Sequence, residues 1–441
     1  MFWVVLSTAA WAQQTVCSPE VGICDHLTIQ EALLTAEPSV PIEFVLLEGS
    51  YVEDGMIVAG GRQITLRAQG AVTVRAATDP STFVVLDDSS LSLEGVTLSA
   101  NDGRAARVSG GQLVLQSVVV FTLGVVGEGA GVLITDGVLQ IRDSLFLDSV
   151  AASGGGHISA TDSVLTIERT QFLGGTASRG GALELTAARV GGATLSDVRF
   201  QDNLAIQSGG AIYVEGLVAL QIQGGSFQGN FAQQGGALTV GPGEAQVGLE
   251  GVIFEGNESN DSGGAIAILD SVVQVIGGSL IENIAGEQGG AVYVGTSGGL
   301  ELKRALLCAN EADRGGAVRS EGSELQRWSN NRVVDNEAIQ SGGSDRARGG
   351  DPRGLPQQLP RQPGPAGLSG ADRVRRGVAP QPPGATARGG GAQGRWIGGV
   401  LGEPQPDLAQ RPGRRRGASG LSLRRSPARR LPAWCWVWGD R

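Results

Sequence analysis

Two stretches of this chain carry residue types that chemistry needs. Asp87 and Asp88 form an acidic pair, and Arg104 and Arg107 follow on the next stretch of chain. Gathered on one outward face, paired carboxylates beside a guanidinium can polarise and deprotonate a uronic sugar. The other stretch is Gly154-Gly155-Gly156-His157. An imidazole needs a placed Asp or Ser to act as a base. None accompanies His157, which reads as a substitution where later copies of the same motif carry alanine. Between 200 and 300 there is no lysine, and the nearest arginine, Arg199, lies just outside. That stretch therefore lacks the cationic clamp acidic sugars need. The nucleophile elbow, the phosphate loop and H-E-x-x-H are all missing. So is the calcium-binding nonapeptide G-G-x-G-x-D. Asp202, Glu255, Asp261 and Glu282 remain as weak cation ligands whose ordinary role is a solvated surface. No cofactor and no metal are expected.

The elements that would position such residues follow from a repeat. G-G-A-[ILV] occurs at Gly180-Gly181, Gly209-Gly210, Gly235-Gly236, Gly263-Gly264, Gly289-Gly290 and Gly315-Gly316. The copies recur at a nearly constant interval, and a fixed period in this range is the mark of a repeat architecture. A second signal keeps step with it: F-Q-D-N from Phe200 to Asn203, F-Q-G-N from Phe227 to Asn230, F-E-G-N from Phe254 to Asn257. Degraded forms end at Asn283, Asn310 and Asn336. Aliphatic residues alternate after each glycine pair, as in Ile212 and Val214 or Val292 and Val294. Period two means strands with one buried face. A repeat of roughly 27 residues cannot bury a core alone and must stack on its neighbours. Three short strands and three turns per repeat make one coil of a parallel β-helix, an all-β solenoid of about ten or eleven coils with strands roughly 4.8 Å apart. Phe146, Phe172, Phe200, Phe227 and Phe254 should stack as an interior column. The asparagines should form a hydrogen-bonded ladder beside it. Both columns read as structure, not as ligand sites.

G-G-A-[ILV] in register with F-x-x-N resembles the repeat of the polymorphic outer membrane proteins, clearly so over 145–344. The resemblance implies a right-handed parallel β-helix, export as an autotransporter passenger, an association with the outer membrane and adhesion to other cells. Full members also carry a C-terminal membrane β-barrel, and no such region is recognisable here.

The ends of the chain read differently from its middle. Met1 to Ala12 is an apolar run closing on Ala10-Trp11-Ala12, which reads as a secretory signal cleaved after Ala12. In an exported chain Cys17 and Cys24 are placed to close a small disulfide loop. Residues 25–37 read as a short amphipathic helix with Asp25 or Thr28 as N-cap and Glu31 completing a capping box. With the strand Ile42–Leu47 it would make an N-terminal cap over 13–54 that covers the open end of the solenoid. The solenoid would span 55–344, its early coils marked by short strand-like runs such as Ile64–Arg67 and Leu91–Leu93 and by a weak motif copy, Gly129-Ala130-Gly131-Val132. Residues 1–344 carry a net charge of −22, which argues against nucleic acid and anionic membrane surfaces as partners. Residues 345–441 carry +12, all cations being arginine, and hold 13 of the 18 prolines. One reading of that tail is a disordered basic segment that binds anionic polymers; the preferred one, from its abrupt onset in mid-repeat, is a shift of reading frame near 344.

Two function classes follow. One is a non-catalytic surface or secreted solenoid, monomeric, that meets a surface protein or glycan. Its candidate outward face is the column Glu184, Tyr213, Thr239, Ala267, Tyr293 and Arg319. The other is a polysaccharide-active enzyme with its site over Asp87, Asp88, Arg104 and Arg107. Clustering of Asp87 and Asp88 with Arg104 or Arg107 on one outward face would favour the enzyme, and a smooth outer face the first class.

Overall fold

Alternating aliphatic residues turn one side of each strand inward, and the computed structural model of the chain stacks those sides into a parallel β-solenoid. It describes residues 14–17, 24–53, 55–76, 81–100, 103–122, 127–321 and 326–339. All of these fall in one compact unit, Met1–Pro352. The signal expected over 1–12 and the tail expected over 345–441 lie outside the described residues. Thirty-one of the described strands belong to one sheet and seven short ones to a second. Every registered pairing is parallel, each strand bonding to its counterpart one coil away.

One inward column runs the length of the solenoid: Tyr51, Val74, Leu98, Val120, Phe146, Phe172, Phe200, Phe227, Phe254, Leu280, Leu307 and Val333. It marks about twelve turns rather than ten or eleven. The extra turns lie in the early coils, where aliphatic residues fill this column and no phenylalanine marks the repeat. At roughly 4.8 Å per coil the stack is about 55 Å long. Phe146 to Phe254 lie nearly parallel, with centroids 4.9, 5.2, 4.7 and 4.7 Å apart. Side by side within the core, each ring buries its face on the next and removes apolar area from water at both contacts.

The asparagine ladder runs beside the phenylalanines. Asn203 donates from its backbone N and from Nδ2 to Oδ1 of Asn230, at 3.1 and 2.9 Å. The same pair of bonds joins Asn230 to Asn257, Asn257 to Asn283, Asn283 to Asn310 and Asn310 to Asn336. Each Nδ2 also reaches a backbone carbonyl one coil back, for Asn230 that of Phe200. Buried amides are thus satisfied without water, which burial demands.

The glycine pairs make the corner that follows. Gly209 holds φ at +66°, which favours glycine. Gly210 lies so close to the next coil that a Cβ there would overlap the Gly236 carbonyl. The same fit recurs at each later pair, so the coils can stack only if the second residue lacks a side chain.

The N-terminal end is closed by the helix Ile29–Thr35, whose Ile29, Ala32 and Leu33 are buried in the core. Thr28 is its N-cap and accepts from Glu31 N at 3.0 Å, while Glu31 Oε2 accepts from Leu27 N. The Glu53 carboxylate accepts from Ile29 N and Gln30 N, both at 2.7 Å, and satisfies two more donors of the first turn. The strand Pro41–Glu53 pairs in parallel with Gln14–Val16 on one side and with Gln63–Ala76 on the other, so it is already part of the solenoid. Cys17 and Cys24 are joined by a disulfide, with Cα atoms 6.0 Å apart. No helix among the described residues is long and apolar enough to cross a membrane.

Candidate functional site

The acidic pair and the arginines do not come together. Ser81 lies opposite Arg104 and Val84 opposite Arg107, whereas Asp87 stands in the turn beyond that strand, at φ +53°. Arg104 donates instead to the carbonyls of Gly129 and Glu128 in the next coil, at 3.3 and 3.0 Å. Burial, with the nearby Arg107, pulls its guanidinium below the usual value. Among the described residues no ion pair joins Asp87 or Asp88 to either arginine. The arrangement that would have favoured the enzyme reading is not formed. Arg199 donates to Gln228 on the neighbouring coil at 3.0 Å. Among the described residues no group of three or more potential metal ligands converges. Asp202, one of the weak cation candidates, sits in a turn at φ +53° and accepts from the Gln201 amide.

The column expected to face outward is largely covered. Glu184, Tyr213, Thr239 and Ala267 are buried, and Tyr293 and Arg319 are half-buried. The reason is the glycine corner. It folds the chain so sharply that the outer side of the following strand closes on the residues just before the corner. Thr239 Oγ1 donates back to the Gln234 carbonyl at 2.7 Å, and Arg319 Nε donates to Gln288 Oε1 at 3.3 Å. Alternation distinguishes inward from outward positions, but it cannot show that the outward side lies in a fold of the surface.

At Glu184 this fold holds a charged cluster that the sequence reading missed. Its side chain lies against Gly154 of the preceding coil, where any Cβ would overlap the carboxylate. Arg179, the residue just before the glycine pair, sets Nη2 2.8 Å from Glu184 Oε1 and Nη1 3.0 Å from Glu215 Oε2. Its guanidinium also lies 4.7 Å from the Tyr213 ring centre, and the Tyr213 hydroxyl donates to Glu215 at 3.2 Å. Next to them Ser159 Oγ donates to Glu128 at 3.4 Å. Burial pushes the Glu184 carboxyl up to about 7; Arg179 opposes the shift, and the charges of Glu128 and Glu215 add to it. A carboxylic acid protonated near neutrality can give up a proton. Here it is 2% exposed and already holds a guanidinium. The available signal was a glutamate between two leucines, Leu183-Glu184-Leu185, following an arginine at the corner.

His157 is fully buried against Phe146 and Phe172, with ring centroids 5.8 and 5.7 Å away. Neither ring nitrogen has a hydrogen-bond partner of good geometry. Burial holds the imidazole down to about 3, against the opposing effect of the neighbouring Leu173 backbone and Asn203 amide. The ring occupies space that the sequence vacates. His157 stands where the next coil has Ala182, and Gly175 stands where the next coil has Asn203. A Cβ on Gly175 would come within 2.7 Å of the imidazole. A large residue at the alanine position is thus matched by a small one at the asparagine position, and no catalytic partner is present among the described residues.

No protein-family model and no curated protein matches this sequence. Among solved structures the chain is similar to the endo-xylogalacturonan hydrolase from Aspergillus tubingensis, at 10% identity and a TM-score of 0.24, over 66% of this chain and 92% of that one. The architecture common to the described coils is a parallel β-solenoid of about 12 turns.

Proposed function

We propose that this chain is an exported, non-catalytic surface solenoid of the polymorphic outer membrane protein type, which meets a protein or glycan on another surface. One observation carries the reading: the residues of the paired motifs are all spent on the interior. The phenylalanines stack, the asparagines bond to one another and the glycines let the coils approach. Arg104 is meanwhile tied to carbonyls, and Arg179, Glu184 and Glu215 to one another. A scaffold of this kind offers a long, regular acidic surface, and among the described residues no acid–base pair is assembled over Asp87, Asp88, Arg104 and Arg107. The test has two parts. Purified chain incubated with acidic polysaccharides should yield no new ultraviolet absorbance from β-elimination and no new reducing ends. The same chain immobilised on beads should bind host cells or their surface glycans above an unrelated β-solenoid. Turnover would overturn the reading.

A polysaccharide-active enzyme is the second reading, favoured by the raised Glu184 carboxyl beside Arg179, Tyr213 and Glu215. Under that reading Glu184→Gln abolishes whatever cleavage is detected.

A further inference from the structure

The two ends of the solenoid are not alike. At the N-terminal end a helix covers the core. At the other end lie the strands Gln326–Ser329, Arg332–Val334 and Glu337–Ala338. Their inward positions continue the core columns. Trp328 extends the column of Val275 and Leu302, and Val333 that of Leu280 and Leu307. Leu302 and Leu307 are fully buried, yet Trp328 is 42% and Val333 48% exposed. Core positions turned to solvent at a sheet end form an unfinished surface.

The asparagine ladder states what would finish it. Each asparagine from 203 to 310 donates from N and Nδ2 to the Oδ1 of the next coil. Asn336 is the last, and its Nδ2 turns back to the carbonyls of Leu307 and Val334. The surface therefore fits a parallel coil that brings a side-chain amide oxygen to Asn336 and aliphatic or aromatic side chains over Trp328 and Val333. A second copy docking by the same end would run antiparallel and would not continue the ladder. A second copy docking by its other end would present its capping helix. The sequence after Ser344 has neither F-x-x-N nor G-G-A-[ILV]; Gly390-Gly391-Ala392 is followed by glutamine. Pro360 falls one repeat length after Val334, where a proline has no N–H for the ladder. Gly342-Gly343, in contrast, arrives one repeat length after Gly315-Gly316 and opens a repeat on schedule.

We propose that this end is the seat of a further coil of the same repeat, encoded directly after codon 344 in another reading frame of the gene. The experiment is to sequence the gene across codons 330 to 350 and translate the two other frames onward. The expected result is that one frame resumes F-x-x-N and G-G-A-[ILV] at the spacing of the earlier copies. A chain carrying that frame should then shield Trp328 from acrylamide, compared with Trp328→Phe controls of both chains. Stop codons in both frames before any motif copy would overturn the proposal. So would sedimentation showing that the present chain dimerises with Trp328 shielded, because a second copy would then be the occupant.

Discussion

Coils from Asn203 to Asn310 and the coil around His157 use the same backbone but different interiors. In the first region each coil repeats its neighbour: phenylalanine or leucine in one column, asparagine in the next, glycine pair and alanine at the corner. In the second, Ser149 and Gly175 stand in the asparagine column and histidine replaces alanine. Thr122 and Ser149 bond to each other through their hydroxyls at 3.0 Å. Ser149 Oγ also donates to the Leu147 carbonyl of its own coil at 3.4 Å, so one side-chain bond crosses between coils where each ladder asparagine makes three. His157 in this coil and Glu184, opposite Ser159 on the next coil, are the two buried groups with strongly moved ionisation. Regularity satisfies the buried amides by translation. Where it lapses, the coil must satisfy its polar groups locally, and His157 is left with no well-formed bond to either ring nitrogen.

The largest contrast should appear on breaking the ladder. Asn257→Ala strips the partners from the Asn230 donors and from the Phe227 carbonyl, all buried. At about 1–3 kcal/mol for each orphaned group, the loss should reach roughly 3 kcal/mol or more. Ser149→Ala removes much less and should cost about 1 kcal/mol. Urea denaturation of the two variants measures the difference, and equal losses would mean that the ladder contributes nothing special.

A smaller effect should come from making the irregular coil regular. His157→Ala alone leaves a cavity beside two phenylalanine rings, and Gly175→Asn alone drives a side chain into the imidazole and the Gly181 carbonyl. Both should destabilise. Together they restore the consensus residues and remove the contact with the ring, while the Gly181 carbonyl must still shift to admit the new Cβ. The double variant should be more stable than the sum of the singles by about 1–3 kcal/mol, read as a coupling energy in a double-mutant cycle. Additive losses would show that the two positions do not share the space.

Much of this was legible in the residues. The period gave the solenoid, and the phenylalanine, asparagine and glycine positions gave the columns, because identical side chains at a fixed spacing must meet when coils stack. The Thr28–Glu31 cap was readable for the same local reason. The early coils were harder: Val74, Leu98 and Val120 fill the phenylalanine column but differ little from any other aliphatic residue. The burial of Glu184 and Thr239 was not readable, since it depends on how tightly the corner folds back and not on alternation. The hub role of Arg179 joins it to Glu215, far along the chain, through that same fold.

The most direct test of the contrast is the pH dependence of stability in single variants. The folded state holds His157 at about 3 against an ordinary 6.5. Stability from this group is full above 6.5 and is lost as pH falls toward 3, because the unfolded chain binds the extra proton. Glu184 runs the other way. Its folded value of about 7 exceeds the ordinary 4.5, so its stability is full below 4.5 and is lost as pH rises through 7. Each slope is at most about 1.4 kcal/mol per pH unit, and between about 4.5 and 6.5 they oppose one another. Unfolding midpoints from pH 3 to 8 should therefore be measured for the parent, His157→Ala and Glu184→Gln. Relative to the parent, His157→Ala should lose stability with rising pH across 4.5 to 6.5, and Glu184→Gln should gain it. Variant curves parallel to the parent would contradict the claim that the irregular coil and the coil next to it hold His157 and Glu184 away from their ordinary ionisation.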